Sequence, residues 1–149
     1  MTVVDALTQL GTVAQAATVA LGVRANLIFS QPPEQLAALP AVVHHWSSST
    51  FDQYPFGQVP TGFQFEQATI TVMYLTNLPT MARAHPAVLA FVDAYRALIA
   101  ANQDLANTVR QVRLTRATIG MVEYNGKEFM GADLTLECDL YHATTWVEA

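Results

Sequence analysis

Apolar residues recur every three or four positions near the start of the chain, at Val3, Leu7, Leu10, Ala14, Ala17 and Leu21. That is the period of one helix face, so the spacing predicts a helix over residues 3–21. Thr2 and Asp5 are spaced as a capping box with Asp in place of Glu, and Gly22 suits the stop. A second stripe of this kind joins Val88, Phe91, Val92, Tyr95, Leu98 and Ile99. Pro86 fits the first turn of that helix, His85 the cap before it, and Asn102 and Gln103 its C-terminal turn.

Elsewhere the period is two. Residues 26–30 read as a short strand that Pro32-Pro33 ends, because proline cannot donate to a ladder. Glu34 to Leu39 has the length of one helical turn before Pro40. Residues 41–46 read as a second strand and 65–76 as a third, with Ala68, Ile70, Val72 and Tyr74 on one face and Thr69 and Thr71 opposite. Residues 72–75 are apolar on both faces, as in a central strand. Between these strands, residues 47–62 look irregular and hold Phe51, Tyr54 and Phe56 among prolines and glycines. Such a loop packs back on its own core or docks into a partner.

The last third has the clearest pattern. Residues 108–124 and 127–142 read as two long strands joined at Asn125-Gly126, a pair suited to the positive φ angles of a tight hairpin turn. In the final strand Met130, Ala132, Leu134, Leu136, Cys138 and Leu140 share a face, and Asp133, Thr135, Glu137, Asp139 and Tyr141 take the other. A two-residue turn pairs Met121 with Met130 and Ile119 with Ala132. Carried further, the same register puts Arg113 on the apolar face, so a β-bulge is expected near residues 116–120. The bulge brings Arg113 beside Glu137 or Asp139.

Length and composition narrow the classes. The chain has 149 residues, enough for one domain over 1–149. Only 13% of residues are charged and 52% are hydrophobic, which excludes a disordered chain. Such low charge fits either surface hidden in contacts with other chains or a well-packed monomer whose surface is rich in Ser, Thr and Gln. The net charge of −5 is the wrong sign for an ordinary nucleic-acid-binding surface. No run of 18 apolar residues suggests a membrane span. The N-terminal residues are unlike a secretory signal, so a cytosolic or assembly-borne protein is expected.

Catalytic chemistry is sparse. The sequence shows no phosphate-binding glycine loop, no nucleophile elbow and no metalloprotease motif. His44 and His45 are adjacent and on a strand point to opposite faces. His44 shares its face with Val42 and Trp46, as a hydrogen-bonded core histidine does. Cys138, the only cysteine, falls on the core face and reads as packing. The expectation is a protein that is not an enzyme and holds no cofactor or metal.

The assembled order predicts an α+β fold: a mostly antiparallel sheet of four to five strands, two helices packed on one face, and a long C-terminal β-hairpin. In this layout the chain resembles the tail terminators, small proteins that cap the tail tube of long-tailed bacteriophages. The resemblance lies in the N-terminal helix, the Leu27-Ile28-Phe29 strand before prolines and the mid-chain strand from Phe65 to Tyr74. It continues in the alanine-rich helix and in a closing hairpin whose last strand runs from Glu128 through Gly131 to Cys138. It covers most of the chain and carries over no catalytic residue.

The resemblance implies a homo-hexameric ring. The ring would bind the tail tube protein, end its polymerisation and dock to the head–tail connector or stopper protein. DNA would pass through its lumen without specific binding, and no membrane would be involved. Its place would be the tail and neck of the virion, after assembly in the host cytoplasm. Phe51, Tyr54, Phe56 and Phe63 are the expected docking loop. Arg113, Asp133, Glu137 and Asp139 are the expected lumen or subunit-interface face. Head–tail stoppers and tail-completion proteins share this layout. A small-molecule-binding or enzymatic α+β domain would instead show a deep pocket around His44 and Trp46.

Overall fold

The computed structural model describes residues 2–18, 23, 27–36, 38–54, 61–78 and 80–145; for 52–54, 61–64, 81 and 143–145 it describes the backbone alone. The elements are α1 (Val3–Ala17), β1 (Ile28–Phe29), β2 (Ala41–Tyr54), β3 (Thr61–Leu75), α2 (Met81–Ala101), β4 (Gln111–Tyr124) and β5 (Lys127–Thr145). They form the α+β fold that the sequence predicts. The sheet order is β1-β2-β3-β5-β4, antiparallel except for β1 against β2.

Both helices lie on one face. From α1, Val3, Leu7, Leu10 and Ala14 are buried; from α2, Ala84, Val88, Phe91, Tyr95 and Ile99. They meet Ala68, Ile70, Val72 and Tyr74 of β3 and Ala132, Leu134, Leu136, Cys138 and Leu140 of β5 in one apolar cluster. Tyr74 and Phe91 stack with centroids 4.6 Å apart. Helix α2 is long and apolar enough by composition to cross a membrane. It is nonetheless two-sided, with Arg83, His85, Asp93 and Arg96 exposed opposite the buried stripe, which is the pattern of a core helix.

The local signals at the N-terminus and the hairpin are realised. The Thr2 hydroxyl accepts from the Asp5 amide at 3.1 Å. Helix α1 ends at Ala17, where the Thr18 hydroxyl donates to the Ala14 carbonyl at 2.8 Å; the expected stop at Gly22 lies outside the described residues. Asn125 and Gly126 have φ of 55° and 79°. Met121 pairs with Met130 and Ile119 with Ala132, and Arg113 pairs with Glu137. The bulge falls between Leu114 and Arg116, slightly before the expected window. Thr115 is the extra residue, and its hydroxyl donates to the Thr135 carbonyl at 3.3 Å.

Three expectations are corrected. Residues 47–54 are not a loop: β2 runs on to Tyr54, paired with β3 residue for residue after a bulge between Trp46 and Ser48. From Ser47 to Phe51 both phases are largely exposed, so the sequence has no alternation to reveal the strand. Helix α2 starts at Met81 rather than near Pro86, and Pro86 sits inside it. That proline forgoes one helix hydrogen bond, while buried Ala84 extends the core stripe by a turn. His85 is therefore an exposed helical residue, and the N-cap is Thr80, whose side chain makes no capping bond. Glu34 to Leu39 shows no helical turn at its described residues but runs as bends.

That segment has another use. Leu36 and Leu39 pack with Phe29, Val43, Met73, Leu75, Val122 and Phe129 in a second apolar cluster, on the sheet face away from the helices. The Tyr124 hydroxyl donates to the Pro33 carbonyl and the Asn125 amide to the Glu34 carbonyl, tying this strap to the hairpin turn. The second face is thus covered at one end. Gly131 lies in the same region: a Cβ there would stand 1.8 Å from the Tyr74 carbonyl oxygen, so only glycine allows β3 and β5 to approach this closely.

Candidate functional site

Away from the strap, the second sheet face has no described element over it. Cross-strand rows place His45, Thr71, Thr135 and Arg116 together, then Ser48, Thr69, Glu137 and Arg113, then Thr50, Gln67, Asp139 and Gln111. Every residue in these rows is polar, as expected of an antiparallel sheet with one face left to solvent or a partner. Ser47 and Thr71 hydroxyls meet at 2.9 Å.

Arg113 holds the centre. Its Nη1 donates to Asp139 Oδ2 at 2.9 Å and its Nη2 to Glu137 Oε2 at 3.3 Å. Gln67 Nε2 donates to Asp139 Oδ1 at 3.5 Å. The hydrogen bond to Glu137 comes first in raising the Arg113 pKa above its ordinary value, with Asp139 adding to it. The sequence-predicted face therefore divides. Arg113, Glu137 and Asp139 come together, whereas Asp133 lies further along β5, opposite Met73 and Thr118. Partial burial raises the Asp133 pKa, and Arg116 opposes the rise. Beyond Asp139, the Arg110 guanidinium lies 4.9 Å from the Tyr141 ring centroid. Three arginines thus stand among the three acids, and the face is charge-balanced rather than acidic.

The expected docking residues are distributed differently. Phe51 is exposed on β2. Tyr54 and Phe63 are backbone-paired positions in the β2–β3 ladder. Phe56 lies outside the described residues. Trp46 is also exposed, and its Nε1 donates to the Ser49 hydroxyl at 2.8 Å.

His44 is a core residue. Its Nδ1 is 2.8 Å from the Phe29 carbonyl and its Nε2 3.2 Å from the Tyr95 hydroxyl. The carbonyl can only accept, so Nδ1 carries the proton and Nε2 accepts from Tyr95. Burial pushes the imidazole down to about 4, against the bond to Phe29. Burial likewise pushes the Cys138 thiol up to about 12, with the Asp139 charge adding to the effect. Neither group is poised for chemistry near neutral pH. A cleft of about 620 Å³ lies elsewhere, between the strap and the hairpin turn, lined by Glu34, Leu36, Asn77, Tyr124, Lys127 and Phe129 among others. No group of three or more potential metal-ligating side chains occurs among the described residues.

Two features escape the sequence reading. Glu66 is buried on the helix-facing side and its Oε1 is 2.8 Å from His142 Nε2. The signal was present, since Glu66 is in phase with Ala68 and Ile70. Ile119 and Met121 are in the core phase of β4, yet remain exposed because the helices stop short of that edge. No protein-family model matches the chain, and no curated protein matches it.

Proposed function

We propose that this chain is a structural assembly protein that forms a six-membered ring, caps a bacteriophage tail tube and ends its polymerisation. In this reading it joins the tail to the head connector in the neck of the virion, after assembly in the host cytoplasm. It is not an enzyme and holds no cofactor. DNA crosses the lumen without specific binding, and no membrane takes part. The observation that carries the reading is the broad polar half of the second sheet face, with hydroxyls and paired charges and no described element above it. A surface with little net charge would not hold a polyanion tightly as it slides. A ring needs surfaces that meet copies, tube and passing DNA, and this face is one that the described elements leave open.

The test is to add the purified chain to polymerising tail tube protein and measure tube length by electron microscopy. Capping predicts shorter tubes with extra density at one end. Tubes of unchanged length with bare ends would refute capping. Binding to the connector alone, with tubes unaffected, would assign the chain to the stoppers instead.

A further inference from the structure

We propose that two free edges of this sheet pair with each other between copies of the chain: the outer edge of β2 beyond His44 on one copy, and β4 on the next. The inference deepens the ring reading by naming its lateral contact, and it rests on that reading only for the size of the ring.

Strand order supplies the first argument. β4 ends the sheet on one side, so among the described residues no strand pairs its outer backbone groups. On the other side β1 reaches only Val42 and Val43, leaving the outer edge of β2 without a strand partner among the described residues from His44 on. Unpaired edges are templates for strand addition.

Exposed apolar side chains supply the second. Among the described residues six large hydrophobics are exposed, and four of them lie on these two edges. Trp46 and Phe51 are on β2, 45% and 53% exposed; Ile119 and Met121 are on β4, 37% and 54% exposed. Their pairing partners, Ile70, Glu66, Ala132 and Met130, place all four on the helix-facing side. Across the sheet Trp46 is level with Leu114 and Val42 with Ile119, so the two apolar strips meet on one face when the neighbouring copy is offset along the strands by about the five residues from Leu114 to Ile119, an offset that also carries its β1 to the end of β4. Cross-strand aromatic and aliphatic contacts then stabilise the ladder.

Direction is the third argument. β2 and β5 run one way, β3 and β4 the other. A copy set beside β4 by rotation alone therefore presents its β2 antiparallel, the more stable pairing, with both helix layers on the same side. Charge does not oppose the contact: β4 carries Arg116 and Glu123 besides an Arg113 already paired with Glu137 and Asp139, and residues 45–54 carry one acid, Asp52, and no lysine or arginine. Pairing β4 with a second β4 would instead set two arginine-bearing edges together. Because the two edges differ, the contact is head-to-tail and closes into a ring when the rotation allows.

The experiment uses two full-length variants, Trp46→Glu/Phe51→Glu on β2 and Ile119→Glu/Met121→Glu on β4, with analytical ultracentrifugation. The wild-type chain is expected to associate beyond a dimer as concentration rises. Each variant alone should lose that association and sediment near the 16.2 kDa monomer. Mixed one to one, they should form a heterodimer of twice that mass and stop, because one intact edge of each remains. A wild-type chain that stays monomeric to about millimolar concentration, a β2 variant that assembles normally, or two monomeric variants that fail to pair would each overturn the proposal. Circular dichroism checks that the variants fold. Should one not fold, hydrogen exchange on the wild type replaces it: amides of 45–51 and 113–121 must gain protection with concentration, and no gain overturns the edge contact. Running the tube assay on the variants separates the two readings. Capping without self-association removes only the edge contact, and self-association without capping removes only the proposed function.

Discussion

The two ends of the sheet's second face differ although the same strands build both. At the end near the hairpin turn, Met73 and Leu75 of β3 lie with Val43, Val122 and Phe129 under the strap of Leu36 and Leu39. Two or more positions further down the same phase of β3, the residues are Thr71, Thr69 and Gln67, and no described element lies over them. The contrast shows how side-chain chemistry on one phase of a strand decides coverage. Apolar residues on both phases require two layers, one of them here an irregular strap. Once the second phase turns polar, the chain leaves it bare, and Arg113 joins Glu137 and Asp139 across strands instead of a lid closing over them.

The sharpest way to break this comparison is to remove a side chain from each layer. Leu136→Ala under the helices and Leu75→Ala under the strap should each lower unfolding stability by about 2–5 kcal/mol, as large-to-small core changes do. Denaturant unfolding measures both. A Leu75→Ala loss below about 1 kcal/mol would mean that the strap only rests on the sheet.

Next in size is a pH effect inside the helix-covered layer. Folded His44 titrates near 4 while an unfolded histidine titrates near 6.5, so the unfolded chain takes up the proton first as pH falls. The His44 contribution is fully present above about pH 6.5 and is lost progressively toward pH 4, by about 3 kcal/mol in all. Urea titrations at several pH values should show this slope, and His44→Gln should flatten it. An unchanged slope in the variant would assign the acid sensitivity to other groups.

On the bare end, effects are small. Arg113→Ala should cost about 0.5–1 kcal/mol, less at high salt, since the side chain is partly exposed and the network is of the cross-strand kind. Thr69→Ala should stay within about 0.5 kcal/mol. A loss from Thr69→Ala as large as that from Leu75→Ala would show that this face is covered after all. Reactivity sharpens the same contrast from the core side. Burial holds the Cys138 thiol in its neutral form, so it should resist alkylation at pH 8 until the chain unfolds. Rapid labelling of the native protein would place it outside the core.

Much of this was legible in particular residues. The alternation from Met130 to Tyr141, the Asn125-Gly126 turn and the misplaced Arg113 together specified the hairpin, its register and the need for a bulge. They are local signals, and period two leaves little freedom when one face is apolar. The doubly apolar run of residues 72–75 marked a central strand, but the layout of the elements implied that the second face is bare, and the strap covers one end of it. What covers the second side was hidden, because Leu36 and Leu39 lie on no periodic element and reach the sheet only through the fold. The extension of β2 across Ser47 to Tyr54 was hidden for the opposite reason: from Ser47 to Phe51 both faces are largely exposed, and such a ribbon imposes no pattern on its side chains.

For the candidate site, the sequence placed Arg113 with Glu137 and Asp139, because one register fixes all three. It could not tell that Asp133 would be set apart near Arg116, or that Arg110 would lie over Tyr141, since those neighbours depend on the bulge at Thr115 and on side-chain reach. The sequence by itself determined that two helices and a closing hairpin exist, the hairpin register and which face of β5 is buried, all of which follow from short-range periodicity and turn geometry. The tertiary structure alone decided the strap, the meeting of Glu66 with His142 and the two sheet edges that no described strand pairs. Each depends on where distant segments stop, and a chain's local pattern carries no record of that.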